Sequence, residues 1–252
     1  MISSMIFFPE KTLYEKPADY RYKWEDVEFI TSDRLKLHGW FLTTAKQEKG
    51  VILFLHGNAG NISHRLFKVK GWIERGFSIF LIDYRGYGKS EGKIEHEDDL
   101  VRDAAAALAW LRDVKKVPLS KIIFYGESIG SAPAIRLGSE HDAAAVILEA
   151  PFTSFVDLAR THYPFVPEML LKDFEFSNIN HIAELKAPLF ILHGTRDEIC
   201  PYAMAGELFE RAPEPKGFFS IPNGSHNDLP ISAGEDYWEQ PFQFLKKQVF
   251  SE

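Results

Sequence analysis

The sequence has one cysteine, no excess of positive charge and no long apolar run, and each shortage excludes a class of protein. A single cysteine, Cys200, excludes an intrachain disulfide and a metal cluster built from several cysteines. The 252 residues include 29 Lys and Arg against 36 Asp and Glu, and the net charge of −7 argues against nucleic acid as a partner. Since oxidative cross-linking is not required, we expect a cytoplasmic protein.

No apolar run approaches the length of about 18 residues that a transmembrane helix requires. The N-terminal candidate, residues 1–8 from Met1 to Phe8, would span only about 12 Å as a helix, whereas the hydrocarbon core is about 30 Å thick. The mean hydropathy of the chain is −0.18. We therefore expect no membrane span and at most weak peripheral contact through residues 1–8.

Apolar segments alternating with amphipathic segments predict a single α/β domain over residues 1–252. The predicted strands are residues 27–31, 35–43, 51–55, 77–82, 122–125, 144–148, 189–192 and 218–221. The first two predict an antiparallel hairpin, and the later unbroken apolar runs are typical of parallel strands covered on both faces. The predicted helices are residues 62–75, closed by Gly76, 100–111, 129–137, closed by Gly138, 202–211 and 238–250. These helices should cover both faces of a mostly parallel sheet.

Residues 151–186 interrupt this alternation and predict a small cap. The segment is rich in phenylalanine and has no long strand run. A longer crossover helix with ragged ends is the alternative. We expect the cap side chains to line an apolar acyl or alcohol pocket, and simple packing against the domain is an equal alternative. The candidate pocket residues are Tyr163, Phe165, Val166, Met169, Leu170 and Phe174.

Residues 126–130 read Gly-Glu-Ser-Ile-Gly, a G-x-S-x-G motif between a predicted strand and a predicted helix. The flanking glycines allow a turn sharp enough to push the Ser128 hydroxyl clear of the sheet. The following helix directs its N-terminal N–H groups at the same place, where an oxyanion would form. We expect Ser128 to be a nucleophile and the Ile129 N–H to be an oxyanion donor. A glycine-flanked turn serine is the alternative.

The base and its orienting acid should follow the serine in the order Asp or Glu, then His, each after a late strand. Asp197 lies in the loop after residues 189–192, with Glu198 as the alternative acid. His226 is the one histidine downstream of Asp197, and it follows the last predicted strand. We expect Asp197 to hold the His226 ring while its other nitrogen takes the proton of Ser128. The histidines lack metal-ligand spacing, so no metal is expected.

The loop of residues 56–60 reads His-Gly-Asn-Ala-Gly and should supply the second oxyanion donor, the main-chain N–H of Asn58. The phosphate-binding pattern G-x-G-x-x-G is missing from it. Other polar residues near these loops should be structural. We expect an ion pair between Asp83 and Arg85, hydrogen-bonded supports at Glu127 and Glu149, backbone-bonded rings at His56 and His193, and a small buried hydrophobe at Cys200.

Six segments together resemble the α/β-hydrolase superfamily. They are HGNAG at 56–60, DYRGYGKSEG at 83–92, GESIG at 126–130, EAPFTS at 149–154, HGTRD at 193–197 and GSH at 224–226. More narrowly, they are similar to the Bem46-like and ABHD13-like serine hydrolases, with elements of the serine aminopeptidase pattern. The resemblance implies an eight-stranded sheet with its second strand antiparallel, a triad of Ser128, Asp197 and His226, and no cofactor. Many members of the narrower group carry an N-terminal membrane anchor, which we do not expect here.

These features predict a serine hydrolase that cleaves small-molecule carboxylic esters of small or medium acyl groups through an acyl-Ser128 intermediate. A thioesterase, including an acyl-protein thioesterase, or an aminopeptidase would use the same triad. In an aminopeptidase, Glu168, Asp173 or Glu175 of the cap would hold the α-ammonium group of a peptide. A catalytically idle binding scaffold is the alternative outside enzymes. The sequence leaves the natural substrate and the oligomeric state open.

Overall fold

A computed structural model of the chain describes residues 6–163, 165 and 167–250. Its central sheet consists of β1 (Lys23–Ile30), β2 (Lys36–Thr43), β3 (Gly50–Leu55), β4 (Phe77–Asp83), β5 (Ile122–Glu127), β6 (Ala145–Glu149), β7 (Leu189–Gly194) and β8 (Lys216–Ile221). The spatial order of the strands is β8-β7-β6-β5-β3-β4-β2-β1. β2 runs antiparallel to both of its neighbours, β1 and β4, whereas the other neighbouring strands of this sheet pair in parallel. The predicted fold class, a mostly parallel sheet of eight strands with its second strand antiparallel, is confirmed.

The helices cover both faces of this sheet. They are α1 (Leu66–Glu74), α2 (Glu97–Asp113), α3 (Ser131–Glu140), α4 (Phe155–His162), α5 (Asn178–His181), α6 (Tyr202–Arg211), α7 (Leu229–Ala233) and α8 (Asp236–Gln248). Buried residues of α2, α3 and α6 join one core cluster, and those of α1 and α8 join a second cluster. Along β3, Val51 and Leu53 belong to the first cluster and Ile52 and Phe54 to the second. Unbroken apolar runs therefore form these strands because both sheet faces are buried.

Short 3₁₀ turns connect several of these elements. They lie at Pro17–Tyr20, Ile62–Arg65, Leu119–Lys121, Ser128–Gly130, Glu168–Leu171 and Ile182–Glu184. Between β6 and β7, residues 151–186 contain α4 and α5 together with the last two of these turns. None of the residues of α4 is buried, so this helix lies on the surface of the domain.

Of the two helix ends predicted at a glycine, one is confirmed and the other is wrong. Gly76 follows α1 with a φ of 93°, a left-handed conformation that glycine adopts without strain. Gly138, in contrast, lies inside α3, which continues to Glu140, so the predicted end is wrong. A Cβ at position 138 would lie 2.7 Å from side-chain atoms of Leu185 and Val146. This glycine therefore permits the close approach of α3 to β6 rather than ending the helix.

The predicted ion pair between Asp83 and Arg85 is also wrong. The Arg85 guanidinium lies 2.7 Å from Asp103 and 2.9 Å from Asp99, both on the buried side of α2. These two acids are four residues apart, so one helix face presents both carboxylates to the arginine. Arg85 still braces its loop, because its main-chain N–H donates to Asp103 at 2.7 Å. The Asp83 carboxylate faces two buried histidines instead.

The N-terminal segment contacts the loop of residues 56–60. Phe8–Pro9 and Ala59–Gly60 form a two-residue parallel ladder, which the sequence analysis did not predict. Residues 1–5 of the N-terminal segment lie outside the described residues. Among the helices that the structure describes, none combines the length and the apolar character that a membrane crossing requires.

Candidate active site

The turn between β5 and α3 holds Ser128 in a strained conformation. Its φ is 52°, in the left-handed region that residues with a side chain rarely adopt. A Cβ at Gly130 would lie 2.0 Å from the carbonyl oxygen of Leu55, and one at Gly126 would lie 2.5 Å from the carbonyl oxygen of Gly130. Both glycines are therefore required by close backbone approach. The result is a serine side chain at the carboxyl end of a buried strand, as the motif predicts.

The structure brings Ser128, His226 and Asp197 into one chain of hydrogen bonds. Nε2 of His226 lies 3.0 Å from Oγ of Ser128, and its Nδ1 lies 2.7 Å from Oδ2 of Asp197. Because a carboxylate only accepts, Nδ1 carries a proton and Nε2 is left to accept the serine proton. Asp197 and His226 follow β7 and β8, which are parallel neighbours, so their loops meet at one edge of the sheet. This is the geometry that a serine nucleophile and its base require.

Asp197 is held as a carboxylate although its side chain is fully buried. Burial opposes ionisation, but hydrogen bonds from His193 and His226 outweigh it and hold the pKa of Asp197 well below its usual range. The main-chain N–H groups of Ile199 and Cys200 donate to Oδ1 at 2.9 and 2.7 Å. The carboxylate is therefore fixed in position and charge on the side of the ring away from the serine.

His193 contributes more to this carboxylate than the sequence analysis predicted. Its Nε2 lies 2.8 Å from the carbonyl oxygen of Cys200, which confirms the expected backbone contact. The same nitrogen also lies 3.1 Å from Oδ2 of Asp197. The four-residue spacing of His193 and Asp197 is the sequence feature that could have indicated this contact. The ring of His56 is also backbone-bonded as predicted, with Nδ1 2.6 Å from the carbonyl oxygen of Gly57.

Cys200 is a buried free thiol, as predicted. Burial, together with the charge of Asp197, raises the pKa of this thiol. At neutral pH Cys200 is therefore a protonated thiol, not a competing thiolate.

The predicted oxyanion donor Asn58 is tightly fixed. Its carbonyl oxygen accepts a hydrogen bond from the Tyr87 hydroxyl at 2.6 Å. Its side-chain amide donates to the carbonyl oxygen of Ile6 at 2.5 Å, and its side-chain oxygen accepts from the N–H of Phe8 at 3.3 Å. Within the described part of the chain, the main-chain N–H of Asn58 has no acceptor. The other predicted donor, Ile129, directly follows the serine in the 3₁₀ turn Ser128–Gly130.

Glu127 and Glu149 are hydrogen-bonded supports, as predicted, and they share a cation, Lys68, that the sequence did not indicate. Nζ of Lys68 lies 2.6 Å from Glu127 and 2.7 Å from Glu149. Nε of Arg65 lies 2.6 Å from Glu127. Burial opposes the ionisation of Glu127, but Arg65 and Lys68 outweigh it and keep its pKa well below the usual range. The residue before Ser128 therefore belongs to a cluster of opposite charges.

The predicted pocket side chains differ in their exposure to solvent. Three are largely exposed, namely Tyr163 at 67%, Phe165 at 96% and Met169 at 77%. Phe174 is buried instead, and its ring centroid lies 5.5 Å from that of Phe7 in an edge-to-face contact. Val166 and the side chain of Leu170 lie outside the described residues.

The chemistry available to this arrangement is nucleophilic attack on an acyl carbon. It combines a serine hydroxyl, a histidine base with an orienting carboxylate, and main-chain N–H groups beside the serine. Among the residues that the structure describes, no three His, Cys, Asp or Glu side chains are arranged to hold a metal ion.

Comparisons with known proteins identify the family and the fold. Residues 46–175 match the family model described as serine aminopeptidase, S33. The chain is similar to an uncharacterized protein of Mycobacterium tuberculosis, with 33% identity over 242 residues, 96% of this chain and 86% of the relative. It is equally similar to the α/β-hydrolase domain-containing protein WAV2 of Arabidopsis thaliana, with 33% identity over 278 residues, 98% of this chain and 90% of the relative. Its fold matches a solved esterase of Pyrococcus furiosus with a TM-score of 0.80 and 24% identity, covering 97% of this chain and 98% of the other.

Proposed function

Because the chain belongs to the serine aminopeptidase S33 family of α/β-hydrolases, we propose that it is a serine esterase for small or medium acyl groups. Family membership confirms the resemblance found in the sequence. One observation carries the proposal: the hydrogen bonds from Ser128 to His226, at 3.0 Å, and from His226 to Asp197, at 2.7 Å. The substrate would be a small-molecule carboxylic ester and the enzyme cytoplasmic.

In the first half of the reaction, Oγ of Ser128 attacks the ester carbonyl carbon while Nε2 of His226 takes the hydroxyl proton. The carbonyl oxygen becomes an oxyanion, which the main-chain N–H groups of Asn58 and Ile129 stabilise. Asp197 stabilises the imidazolium that forms. The intermediate then collapses, the ester C–O bond breaks, and His226 returns the proton to the leaving alcohol.

In the second half, water replaces the alcohol. His226 takes a proton from this water, and the hydroxide attacks the acyl carbon of the acyl-Ser128 ester. A second oxyanion forms in the same place and collapses, breaking the bond to Oγ. Ser128 regains its proton from His226, and the carboxylic acid leaves. No other reactant is consumed.

A fluorophosphonate probe tests the nucleophile directly. The wild-type protein should gain the mass of one phosphonyl group, with loss of fluoride, and peptide mapping should locate it at Ser128. The Ser128→Ala variant should gain none, and its ester hydrolysis should fall by several orders of magnitude. Circular dichroism should show an unchanged fold for this variant. A wild-type protein without an adduct, or an equal adduct on the variant, contradicts the proposal.

We propose that the exposed cap side chains contact the acyl group. Phe165, which is 96% exposed, offers apolar surface that a bound chain would cover. A series of p-nitrophenyl esters of increasing acyl length should show a length optimum, which Phe165→Ala should shift or flatten. Val114→Ala is the matched control, since Val114 is also an exposed apolar residue, at 60%, but follows α2 outside the cap. Activity independent of acyl length would count against the pocket.

The family description favours one further candidate, an aminopeptidase. The same triad would cleave an amide, and the exposed acids Asp173 and Glu175 of the cap would attract the α-ammonium group of a peptide. Aminoacyl p-nitroanilides with a free or an acetylated amine distinguish the two activities. An esterase should prefer p-nitrophenyl esters over both, whereas an aminopeptidase should require the free amine. Thioester substrates assayed in parallel test the remaining acyl-transfer alternative.

A further inference from the structure

We propose that Glu127 is a positioning residue that ties the oxyanion loop, residues 56–60, to the turn that carries Ser128. The inference rests on the proposed function, since it concerns how the oxyanion donor is held beside the nucleophile. Glu127 is the last residue of β5 and directly precedes Ser128. Its backbone therefore belongs to the nucleophile turn, while its carboxylate reaches the loop.

Both neighbours of Asn58 are bonded to one ion pair. The main-chain N–H of Gly57 donates to Oε2 of Glu127 at 3.1 Å. Nε of Arg65 donates to the same oxygen at 2.6 Å, and its Nη2 donates to the carbonyl oxygen of Ala59 at 3.0 Å. The peptide of Asn58 thus lies between two anchor points that share Glu127. Movement of the carboxylate would displace the Asn58 N–H relative to the serine.

The contact between Gly57 and Glu127 leaves little room for a side chain at position 57. A Cβ at Gly57 would lie 3.3 Å from Cδ of Glu127 and 3.6 Å from Nη2 of Arg65. A side chain there would press on the carboxylate that the N–H must reach. Strands β3 and β5 are parallel neighbours, with Leu55 opposite Gly126, so the carboxylate crosses only the gap between two strand ends.

Two cations neutralise the charge of Glu127. Its carboxylate is paired with Arg65 and with Lys68, whose side chains are 13% and 4% exposed. An unpaired carboxylate next to the serine would repel the oxyanion that forms during catalysis. Because two cations are paired with it, Glu127 can hold the loop without repelling the oxyanion.

Glu149 provides a control within the same cluster. It shares Lys68 with Glu127, and its other oxygen accepts from the hydroxyls of Tyr125 and Tyr237 at 2.8 and 2.7 Å. In the described residues it has no hydrogen bond to the oxyanion loop. Glu127→Gln and Glu149→Gln therefore disturb the same buried charge cluster, but only the first disturbs the loop.

The test compares these two variants in the full chain. Glu127→Gln should lower kcat by about tenfold or more, with KM changed less than about threefold, because the loop acts on the oxyanion rather than on substrate binding. Its affinity for a trifluoromethyl ketone, whose adduct places an oxyanion in the same site, should fall by a similar factor. Glu149→Gln should lower the melting temperature while its kcat stays within about threefold of the wild type. Equal losses of kcat in the two variants would overturn the proposal, as would an unchanged kcat in Glu127→Gln.

Arg65→Lys is a second variant in case Glu127→Gln does not fold. A lysine keeps the positive charge beside Glu127 but cannot bond both Glu127 and the Ala59 carbonyl with a planar fork. It should lower kcat and inhibitor affinity together, by a smaller factor than Glu127→Gln, and wild-type values for both would overturn the proposal. Failure of the proposed function is distinct, because the wild-type protein itself would then form no fluorophosphonate adduct, and this overturns both.

Discussion

Two largely buried polar clusters contact the loop of residues 56–60 and satisfy their polar atoms differently. The paired cluster consists of Arg65, Lys68, Glu127 and Glu149, and each of its carboxylates lies within 2.7 Å of a cationic nitrogen. The histidine cluster consists of His38, His56 and Asp83. Its facing nitrogen and oxygen atoms are 3.6 and 3.7 Å apart. Within the described residues, Nδ1 of His38, Nε2 of His56 and Oδ2 of Asp83 have no hydrogen-bond partner.

The difference follows from which groups can remain charged when buried. In the paired cluster, opposite charges at short range offset the cost of removing them from water. In the histidine cluster, burial lowers the pKa of His56 to about 4, against the opposing pull of Asp83. Nδ1 of His56 carries its proton because it faces a carbonyl oxygen, so Nε2 is unprotonated in the neutral ring. The loop is thus held by charged groups at Gly57 and Ala59 and by the neutral ring of its own residue His56.

The largest expected effect comes from removing the shared cation of the paired cluster. Lys68→Met leaves the buried carboxylates of Glu127 and Glu149 with Arg65 as their remaining cation. An uncompensated buried charge costs about 3–5 kcal/mol. Urea unfolding at pH 7 should show a loss of that size in the free energy of unfolding.

Lys70→Met is the matched control for this prediction. Lys70 lies on the same helix, but its side chain is 61% exposed and its nearest carboxylate, on Glu74, is 3.9 Å away. The free energy of unfolding should change by less than about 0.5 kcal/mol. If Lys68→Met lowers the free energy of unfolding no more than Lys70→Met does, charge does not stabilise the paired cluster. The contrast with the histidine cluster is then wrong.

The next effect is the acid sensitivity of the histidine cluster. The pKa of His56 is about 4 in the folded chain and near 6.5 in an unfolded one, so the unfolded state binds more protons between these values. The stability that His56 contributes is therefore fully present above pH 6.5 and is lost as the pH falls towards 4. Between pH 7 and pH 5 the loss amounts to about 2 kcal/mol.

Urea titrations at pH 7 and pH 5 measure this loss. His56→Gln should reduce the difference in unfolding free energy between the two pH values, because glutamine does not titrate. His141→Gln, which removes a histidine next to the end of α3, should leave the difference as in the wild type. A wild-type slope in His56→Gln would show that another group carries the acid sensitivity.

The paired cluster also shows which kind of contact the sequence does not predict. The strands and Ser128 could be predicted because apolar runs and glycine spacing act locally, and His226 because it was the one histidine after Asp197. Lys68 looks like an ordinary solvent-facing residue in the sequence. Its pairing depends on the ends of β5 and β6, which are 59 and 81 residues away in the chain.

The same limit explains the other differences. Arg85 pairs with acids of α2. Which residues it pairs with depends on how that helix packs, not on its neighbours in the sequence. The ladder between Phe8–Pro9 and Ala59–Gly60 has only two residue pairs, too short to produce a strand pattern. In each case the contact joins segments far apart in the chain, and no local periodicity reports it.

The smallest expected effect comes from neutralising the carboxylate of the histidine cluster. Asp83→Asn keeps an oxygen for the N–H of Ile62, which donates to Oδ1 of Asp83 at 3.0 Å. The new amide group then takes the position of Oδ2, which faces Nδ1 of His38 at 3.6 Å. Because Nε2 of His38 donates to Asp26, Nδ1 of the neutral ring can accept a hydrogen bond from this amide. The free energy of unfolding at pH 7 should therefore change by less than about 1 kcal/mol, in either direction. A loss comparable to that of Lys68→Met would mean that the negative charge of Asp83 stabilises its cluster as strongly as the charges of the paired cluster stabilise theirs.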